Sequence, residues 1–370
     1  MKIVFDYQIF SLQVYGGISR YYVELAKGIL KNDNKNRILI VSPFYINSYL
    51  EELTKDVKVF GKKINAKKGF GKLLTFPNRF LSPTYTSKFN PDILHLTYYI
   101  DQYQFLNFRG KKIITIHDMI NEIYPDNSIY TKILRKYREK SIKEADHIIC
   151  VSKNTQKDLL NLFEIDKEKT SVVYHGLNHH NHKKENLDEL KKEKFILYVG
   201  QRNGYKNFER SLKAFAENKQ VSSEYNLVVF GGGEFRKDEI NLKKELNIPP
   251  NKIVNIQGND NILNELYRKA SLFIYPSIYE GFGMPLLEAM NYNCPVICSN
   301  TSSFPEVAGN AAYFFNPLII KSISDVMTLV LFDPTIQRKL LKNGKKQVNK
   351  FSWEKCADET VEIYKKVLGK

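Results

Sequence analysis

Short apolar runs rich in β-branched residues recur along the chain, and segments with apolar residues at helical spacing lie between several of them. In the first half these runs predict strands at Lys2–Phe5, Arg37–Val41, Val57–Phe60, Ile93–Leu96, Lys112–Ile116, His147–Val151 and Ser171–Tyr174. A second series predicts strands at Phe195–Val199, Leu227–Phe230, Ile253–Ile256, Leu272–Tyr275, Pro295–Cys298 and Ala312–Phe314. Strands of this kind that alternate with helices are typical of parallel sheets built from β-α-β units. The pattern therefore predicts an α/β protein with two sheets.

A polar segment, residues 177–194, separates the two series and marks a domain boundary. We expect one domain over residues 1–176 and a second over 195–350. Residues 351–370 follow an amphipathic helical pattern, and this closing helix could pack on either domain, including a return to the first. His179, His180 and His182 lie in the polar segment without a Cys or acidic residue at ligand spacing. A solvated linker is therefore favoured over a metal site.

Composition excludes several classes of protein. The 370 residues are 43% hydrophobic, which excludes intrinsic disorder, and four cysteines are too few for a disulfide scaffold. No run approaches the roughly 18–20 apolar residues that span a bilayer, and Asp6 interrupts the apolar N-terminus, so we expect a cytoplasmic chain with peripheral membrane contact left open. The net charge of +16 fits a nucleic acid, an anionic membrane, a phosphorylated substrate or a Lys-rich surface.

The strongest motif follows the predicted strand Leu272–Tyr275 and runs from Pro276 to Met290. Its glycines allow a tight loop with free amides, and Pro285 suits the first turn of a helix. Such a strand–loop–helix unit directs N–H groups toward an anion. Glu280 and Glu288 would repel phosphate but could accept hydrogen bonds from ribose or sugar hydroxyls. The alternative is a capped helix with an incidental pair of glutamates.

Basic residues and glycines after other strands add weaker signals. Gly16 and Gly17 follow the first strand, with Ser19 as a reasonable N-cap, and predict either a phosphate-binding turn or a plain turn into a helix. Arg20 lies in that first turn, where the helix dipole favours acids. Arg202 and Lys206 are cations four residues apart beyond the first strand of the second domain, which suits a diphosphate or an ordinary surface pair.

His117 stands directly after the strand that ends at Ile116. The carboxyl ends of parallel strands are where α/β proteins bind ligands. A core or capping histidine is the ordinary alternative.

Taken in order, these motifs resemble retaining glycosyltransferases of family 4, which have the GT-B fold. The resemblance covers nearly the whole chain and rests on the E-x7-E pair Glu280 and Glu288 together with Gly16–Tyr21, Ile116–Asp118, Ala145–Ser152, Tyr174–Gly176, Tyr198–Asn207, Phe230–Gly233, Ser303–Val307 and Phe351–Trp353. It implies two Rossmann-like domains facing across a deep cleft, the first binding the acceptor and the second the nucleotide-sugar. One departure is Asn293, where many relatives have Gly; a tight turn tolerates Asn.

The resemblance also implies roles for individual residues. It implies catalytic roles for His117, Arg202, Lys206 and Glu280. It implies donor binding by Gly16, Gly17, Arg202, Lys206, Glu280, Gly281, Phe282, Gly283 and Glu288. Arg20 could reach an acceptor phosphate, and Asp118 could orient the loop of His117. We expect no metal and no cofactor, since fixed cations and helix-end amides serve instead.

The implied reaction moves a hexose from a nucleotide diphosphate to an acceptor hydroxyl with retention, by a front-face displacement. Similar bacterial surface-polysaccharide enzymes make GDP-mannose our first expectation for the donor, with UDP-linked sugars as alternatives. The acceptor would be a glycan or a lipid-linked glycan in the synthesis of O-antigen, capsule or lipopolysaccharide. A sugar-nucleotide epimerase or hydrolase of the same fold is the alternative chemistry.

The positive charge is most concentrated in residues 57–91, which carry eight Lys and Arg residues and no Asp or Glu, with aromatic and leucine residues interleaved. Basic and aromatic residues together suit the headgroup region of an anionic membrane. A Lys-rich solvated loop is the alternative. Nucleic-acid binding is disfavoured because no recognised nucleic-acid-binding module occurs.

Overall fold

The computed structural model describes residues 1–53, 57–65, 71–99, 108–126, 128–177 and 193–370. The chain divides into two compact units, one of Met1–Gly176 with Ser352–Lys370 and one of Leu177–Phe351. The histidines of the polar segment lie outside the described residues, as do residues 178–192 as a whole. Lys67, Lys68 and Phe70 of the basic run are also outside them.

The first unit is built on a seven-stranded sheet whose strands all pair in parallel. Its strands are β1 (Lys2–Phe5), β2 (Arg37–Tyr45), β3 (Lys58–Lys63), β4 (Ile93–Leu96), β5 (Lys111–Ile116), β6 (His147–Cys150) and β7 (Thr170–Val172). The helices between them are α1 (Gln8–Leu12), α2 (Gly17–Asn32), α3 (Gly71–Phe89), α4 (Ile120–Ile123), α5 (Ile129–Glu144) and α6 (Lys153–Leu162). The strand order is β3-β2-β1-β4-β5-β6-β7, so the direction of strand addition reverses between β1 and β4.

The second unit repeats this plan with a six-stranded parallel sheet of order β10-β9-β8-β11-β12-β13, which reverses between β8 and β11. Its strands are β8 (Phe195–Val199), β9 (Asn226–Phe230), β10 (Ile253–Ile256), β11 (Leu272–Tyr275), β12 (Val296–Ser299) and β13 (Ala312–Phe315). Its helices are α7 (Phe208–Glu217), α8 (Lys219–Glu224), α9 (Lys237–Glu245), α10 (Asp260–Lys269), α11 (Met284–Asn291), α12 (Phe304–Ala308), α13 (Ile320–Phe332) and α14 (Pro334–Val348).

The closing helix α15 (Trp353–Val367) belongs to the first unit and packs along α2. Ser352 caps it by accepting a hydrogen bond from the amide of Lys355 at 3.1 Å. Gly28 of α2 makes the close approach of the two helices possible, because a Cβ there would lie 2.8 Å from the Cβ of Ala357. The apolar faces of α2 and α15 complete one core with the strands of the sheet.

The predicted α/β class with two Rossmann-like domains is confirmed, because the fully buried strands β6, β9, β11 and β12 are covered by helices as parallel sheets require. One local expectation is wrong. The helix after Gly16 begins at Gly17, so Ser19 lies in its first turn and is not the N-cap. In the basic run, the edge strand β3 and the helix α3 account for residues 58–63 and 71–89, so the alternative of a Lys-rich solvated loop does not hold for these two segments.

None of the helices in the described part of the chain is both long enough and apolar enough to cross a membrane. Asn293 adopts φ 56° in the turn before β12, the left-handed conformation that Asn tolerates better than most residues. This position therefore accommodates the departure from Gly noted in the sequence.

Candidate active site

The loops that follow β8 and β11 meet at the switch point of the second sheet, where open α/β sheets bind ligands. The amide of Ile278 donates to the carbonyl of Tyr205 at 2.7 Å and joins the two loops directly. Asn207, at φ 58°, donates from Nδ2 to the carbonyl oxygens of Pro276 at 3.1 Å and Pro317 at 2.7 Å. The backbone around the candidate site is thus held by hydrogen bonds from three different loops.

Lys206 and Glu280 form an ion pair across these two loops. Lys206 Nζ lies 2.6 Å from Glu280 Oε1, and their side chains are 17% and 11% exposed. The aromatic rings of Tyr205 and Tyr275 lie 5.2 Å and 6.0 Å from the same Nζ. Burial, and then the Glu280 carboxylate, raise the pKa of the Tyr275 hydroxyl well above its usual value. The pair therefore places a cation next to a carboxylate that can accept hydrogen bonds from hydroxyl groups. Both side chains are largely shielded from solvent.

Ser302 and Ser303 fix the backbone of Glu280. The amide of Glu280 donates to Ser302 Oγ at 3.1 Å, and Ser302 Oγ lies 2.6 Å from the Glu280 carbonyl oxygen. Ser303 Oγ lies 3.0 Å from that carbonyl and 2.9 Å from the carbonyl of Phe282. Ser303 was part of a sequence motif, but the sequence did not indicate a role for Ser302. Ser302 has φ 58° in a turn after β12.

Arg202 does not share the environment of Lys206. Its side chain is fully buried, and Nε donates to Glu239 Oε1 at 2.9 Å. Nη1 donates to the carbonyl of Gly231 at 2.7 Å, and Nη2 lies 3.0 Å from the carbonyl of Gly233 and 2.7 Å from that of Glu234. The guanidinium is thus directed into the loop after β9, whereas the sequence led us to expect it against a diphosphate.

The loop that surrounds Arg202 requires glycine. Gly231, Gly232 and Gly233 have φ values of 87°, 74° and 73°, which other residues rarely adopt. A Cβ on Gly232 would lie 2.7 Å from Arg202 Nη1. The carbonyls of this loop turn inward to one buried cation, and Glu239 balances its charge.

The glycine-containing turn before α11 has the predicted form. Gly283 has φ 98° and precedes a helix with Pro285 in its first turn, and a Cβ on Gly283 would lie 3.0 Å from the Phe304 ring. Phe282 is 5% exposed and packs edge-on against Phe351. Gly281 is buried between Glu280 and Phe282. The amide end of α11 therefore follows directly on the loop that carries Glu280.

Glu288 lies in the second turn of α11 and is half-buried. The hydroxyl of Tyr267, on α10, donates to Glu288 Oε2 at 3.3 Å. Tyr267 itself is fully buried, and burial followed by the Glu288 carboxylate raises its pKa well above the usual value. The hydrogen bond from Tyr267 therefore helps to fix the direction of the Glu288 carboxylate.

In the first unit, His117 stands at the carboxyl end of β5 and is 7% exposed. The rings of Tyr21 and His175 lie 5.1 Å and 5.6 Å from its ring. Burial is the largest cause that lowers its pKa far below the usual value, and the neighbouring His175 adds to it. His117 is therefore neutral, and its buried Nε2 has no hydrogen-bond partner among the described residues.

The residues after His117 are held by a buried ion pair that the sequence did not predict. Arg138 Nη1 lies 2.5 Å from Glu122 Oε2 and 3.2 Å from the carbonyl of Asp118, and the Arg138 and Glu122 side chains are 2% and 4% exposed. The Asp118 side chain accepts a hydrogen bond from the amide of Ile120 at 3.0 Å. Asp118 thus shapes the turn that begins α4. The pair could have been suspected only from the position of Arg138 on the apolar side of α5.

The turn at Gly16 and Gly17 is already occupied by a side chain of the same unit. Gln13 Oε1 accepts a hydrogen bond from the amide of Ser19 at 3.2 Å, and a Cβ on Gly16 would lie 2.3 Å from that oxygen. Arg20 is half-buried in the first turn of α2. One amide at this helix end is therefore capped by Gln13, a contact that the sequence motif did not indicate.

The chain has two Rossmann-like units, each with a parallel sheet whose strand order reverses at one point, as GT-B proteins do. Two family models match the chain: one described as Glycosyltransferase Family 4 over residues 15–181 and one described as Glycosyl transferases group 1 over residues 180–347. The chain belongs to the family 4 glycosyltransferases and is a glycosyltransferase.

Two relatives carry names from O-antigen polysaccharide synthesis. The O-antigen chain mannosyltransferase RfbU of Salmonella typhimurium is 30% identical over 263 residues, 66% of this chain and 72% of that protein. O-antigen chain mannosyltransferase B of Escherichia coli is 26% identical over 388 residues, 99% of this chain and 100% of that protein. These relatives support a glycosyltransferase of polysaccharide synthesis.

Solved structures share the fold over the whole chain. Sucrose-phosphate synthase from Thermosynechococcus elongatus superposes with a TM-score of 0.79 at 18% identity, covering 100% of this chain and 99% of that one. Anabaena HepE in complex with UDP-glucose superposes with a TM-score of 0.78 at 16% identity, covering 99% of this chain and 100% of that one. At these identities the likeness concerns the fold alone.

Proposed function

We propose that the protein transfers mannose from GDP-mannose, with retention of configuration, to a hydroxyl of a glycan or lipid-linked glycan in bacterial surface-polysaccharide synthesis. The observation that carries the proposal is the ion pair of Lys206 and Glu280 at the switch point of the second sheet. A cation beside a carboxylate suits a donor that presents a diphosphate next to sugar hydroxyls. The names of the two O-antigen mannosyltransferases support the choice of mannose.

In this reaction Lys206 binds the diphosphate and stabilises the charge that grows on the β-phosphate as the bond to the anomeric carbon breaks. Glu280 accepts hydrogen bonds from hydroxyls of the donor sugar, and Glu288 from hydroxyls of the ribose. A diphosphate against Lys206 competes with Glu280 for the ammonium group, which frees carboxylate oxygens for the sugar. The amide end of α11, with Gly281, Phe282 and Gly283 before it, adds partial positive charge near the loop.

The proposed chemistry is a front-face displacement without a protein nucleophile. The acceptor oxygen forms the new bond on the face from which the nucleoside diphosphate departs, and the leaving β-phosphate oxygen takes the acceptor proton. No metal step is included. His117, whose buried Nε2 has no hydrogen-bond partner among the described residues, positions a hydroxyl of the sugar or acceptor, and Asp118 and Arg138 hold the turn that carries it.

Arg202 takes a different place in this proposal from the one that the sequence suggested. Its buried hydrogen bonds to the loop of residues 231–234 suit a positioning residue that keeps this loop in shape beside the donor site. Gly16, Gly17 and Arg20 remain predicted contacts for a phosphate of the donor or the acceptor.

The test is a thermal-shift panel of GDP, UDP, ADP and their sugars, followed by product analysis with the donor that binds. A ligand at 100 times its dissociation constant adds about 2.7 kcal/mol of apparent stability. We expect GDP and GDP-mannose to stabilise the protein and the product linkage to be α by NMR. Stabilisation by UDP-sugars alone would indicate that the donor is a UDP-sugar, the class of ligand in the Anabaena HepE structure. Free sugar or an epimerised donor without acceptor product would indicate a hydrolase or epimerase.

A further inference from the structure

Helix α3 of the first unit carries its apolar side chains toward solvent. Leu73, Phe76 and Phe80, spaced three and four residues apart, are 65%, 69% and 64% exposed. Most of the positions that α3 buries are polar or small and follow one stripe along the helix: Gly71, Leu74, Asn78, Ser82 and Thr86. The helix is thus amphipathic in the reverse sense of an ordinary surface helix.

Specific hydrogen bonds on the polar side fix this orientation. Asn78 Oδ1 accepts from the amide of Phe44 at 2.8 Å. Asn78 Nδ2 lies 2.8 Å from both Ser11 Oγ and the carbonyl of Phe44. Rotating α3 to bury Phe76 and Phe80 would break these buried bonds, each of which is costly to lose. The apolar side of α3 therefore faces solvent because these hydrogen bonds hold its polar side against the rest of the unit.

The start of α5 extends the same exposed face. Ile129, Tyr130 and Ile133 are 77%, 42% and 46% exposed. Lys72 Nζ lies 3.6 Å from the centre of the Tyr130 ring, and both residues line a cavity of about 150 Å³ between the two helices. We call these residues, with Leu73, Phe76 and Phe80, the α3–α5 surface.

Basic side chains predominate around the α3–α5 surface, although the exposed Asp126 lies three residues before Ile129 and accepts hydrogen bonds from Ser128. Residues 71–89 and 128–138 contain no Asp or Glu. Lys72, Lys132, Arg135 and Lys136 are exposed there. Long basic side chains beside apolar ones can reach lipid phosphates while the apolar groups enter the acyl boundary.

We propose that the α3–α5 surface docks the first unit on an anionic lipid bilayer, with Leu73, Phe76, Phe80 and Ile129 inserted at the level of the headgroups. Neighbouring aromatic and aliphatic side chains that are exposed together mark an interaction site, and Lys72, Lys132, Arg135 and Lys136 beside them complement anionic phosphates. This surface takes no part in the donor site, and the inference does not depend on the proposed reaction. Vesicle binding and donor turnover are measured separately, so that the membrane proposal can be refuted without refuting the proposed reaction, and the reverse.

The first test is flotation of the full chain with vesicles of phosphatidylcholine alone or with 30% phosphatidylglycerol. We expect binding only to the anionic vesicles, weakened by salt. The variant K132Q/R135Q/K136Q should weaken the partition coefficient by about 100-fold, since each basic residue near the membrane contributes about a factor of five. The matched control is K339Q/K342Q/K346Q, which removes three exposed lysines from α14 of the second unit and should bind as the wild type does.

The second test probes insertion of the apolar residues. F76S/F80S should lose anionic-vesicle binding by at least 10-fold, whereas L318S/I319S, which removes two residues that are 57% and 52% exposed in the second unit, should not. Phe76→Trp should shift its fluorescence to the blue on anionic vesicles, and Leu318→Trp should not. Melting curves check that each variant is folded, which the exposure of the replaced residues favours.

Three results would overturn the proposal: no binding to anionic vesicles at low salt, equal loss in the matched controls, or an unchanged Phe76→Trp spectrum despite binding. If F76S/F80S instead converts a dimer to a monomer in light scattering and leaves vesicle binding intact, the α3–α5 surface is an interface between two copies of the chain and the lipid assignment is wrong.

Discussion

Lys206 Nζ and Glu280 Oε1 lie 2.6 Å apart although 74 residues separate them in the chain. Lys206 comes from the loop after β8 and Glu280 from the loop after β11, strands that are neighbours at the reversal of the sheet. The hydrogen bond from Ile278 to Tyr205 holds these loops together. The pair therefore brings to one point the cation that we propose for the diphosphate and the carboxylate that we propose for the sugar hydroxyls.

Lys206→Gln should lower kcat by about 100-fold or more, because one fixed charge that stabilises a developing negative charge contributes on that scale. Steady-state transfer assays with the donor found in the thermal-shift panel would measure it. Lys213→Gln is the matched control: Lys213 pairs with Glu209 at 2.6 Å on the surface of α7 and should leave kcat unchanged. Near-normal turnover of Lys206→Gln would refute its role at the diphosphate.

Arg202→Met should destabilise the second unit by roughly 3 kcal/mol or more, because it leaves Glu239 and several loop carbonyls buried without their cation. Urea unfolding measures the loss. Arg236→Met removes a half-exposed partner of the same carboxylate and should cost much less. If Arg202→Met instead keeps its stability and only raises the KM for the donor, Arg202 is a diphosphate ligand, as the sequence motif suggested.

His117→Phe should lower kcat by about 100-fold while leaving the melting temperature unchanged or higher. The substitution keeps an aromatic ring against Tyr21 and removes Nε2, a buried nitrogen that has no hydrogen-bond partner in the described part of the chain. Transfer assays and melting curves on the same preparation test both halves of this prediction. A lower melting temperature of His117→Phe with an unchanged kcat would show that His117 contributes only to packing.

The stability of the first unit should fall as the pH is lowered below about 6.5. Burial lowers the pKa of both His95 and His175 to about 3. Between about pH 3 and 6.5 the unfolded chain therefore binds more protons than the folded chain, and each histidine contributes up to about 1.4 kcal/mol per pH unit. This contribution is complete above pH 6.5.

The comparison of wild type with His95→Gln isolates the histidine contribution. Asp6, whose pKa burial raises to about 6, acts in the opposite sense, losing stability as pH rises through that value, and it is present in both proteins. Urea unfolding at pH 7.5, 6.0 and 5.0 should give a slope against pH that is smaller in His95→Gln by up to about 1.4 kcal/mol per unit. Equal slopes would contradict a neutral, buried His95.

The strands and the turn at Gly283 could be predicted from sequence, because their signals are local. Continuous apolar runs such as Leu272–Tyr275 fit only strands buried on both faces, and the left-handed φ of Gly283 is the conformation that glycine permits. Helix α3 could not be predicted in this way. Pro77 and Pro83 lie inside it, and its reversed amphipathic pattern removes the usual periodic signal of a buried face.

The motif order along the sequence determined the class of this protein, its two α/β units and the candidate glutamates Glu280 and Glu288. Tertiary structure decided where the cations point. Arg202 and Lys206 are close in sequence, yet the loop turns one side chain into a cage of carbonyls and the other toward Glu280. It also decided that the described basic residues between positions 57 and 91 lie on the edge strand β3 and the helix α3. The spacing of residues in a motif gives only their separation along the chain. The direction of each side chain depends on hydrogen bonds to loops that are far away in sequence.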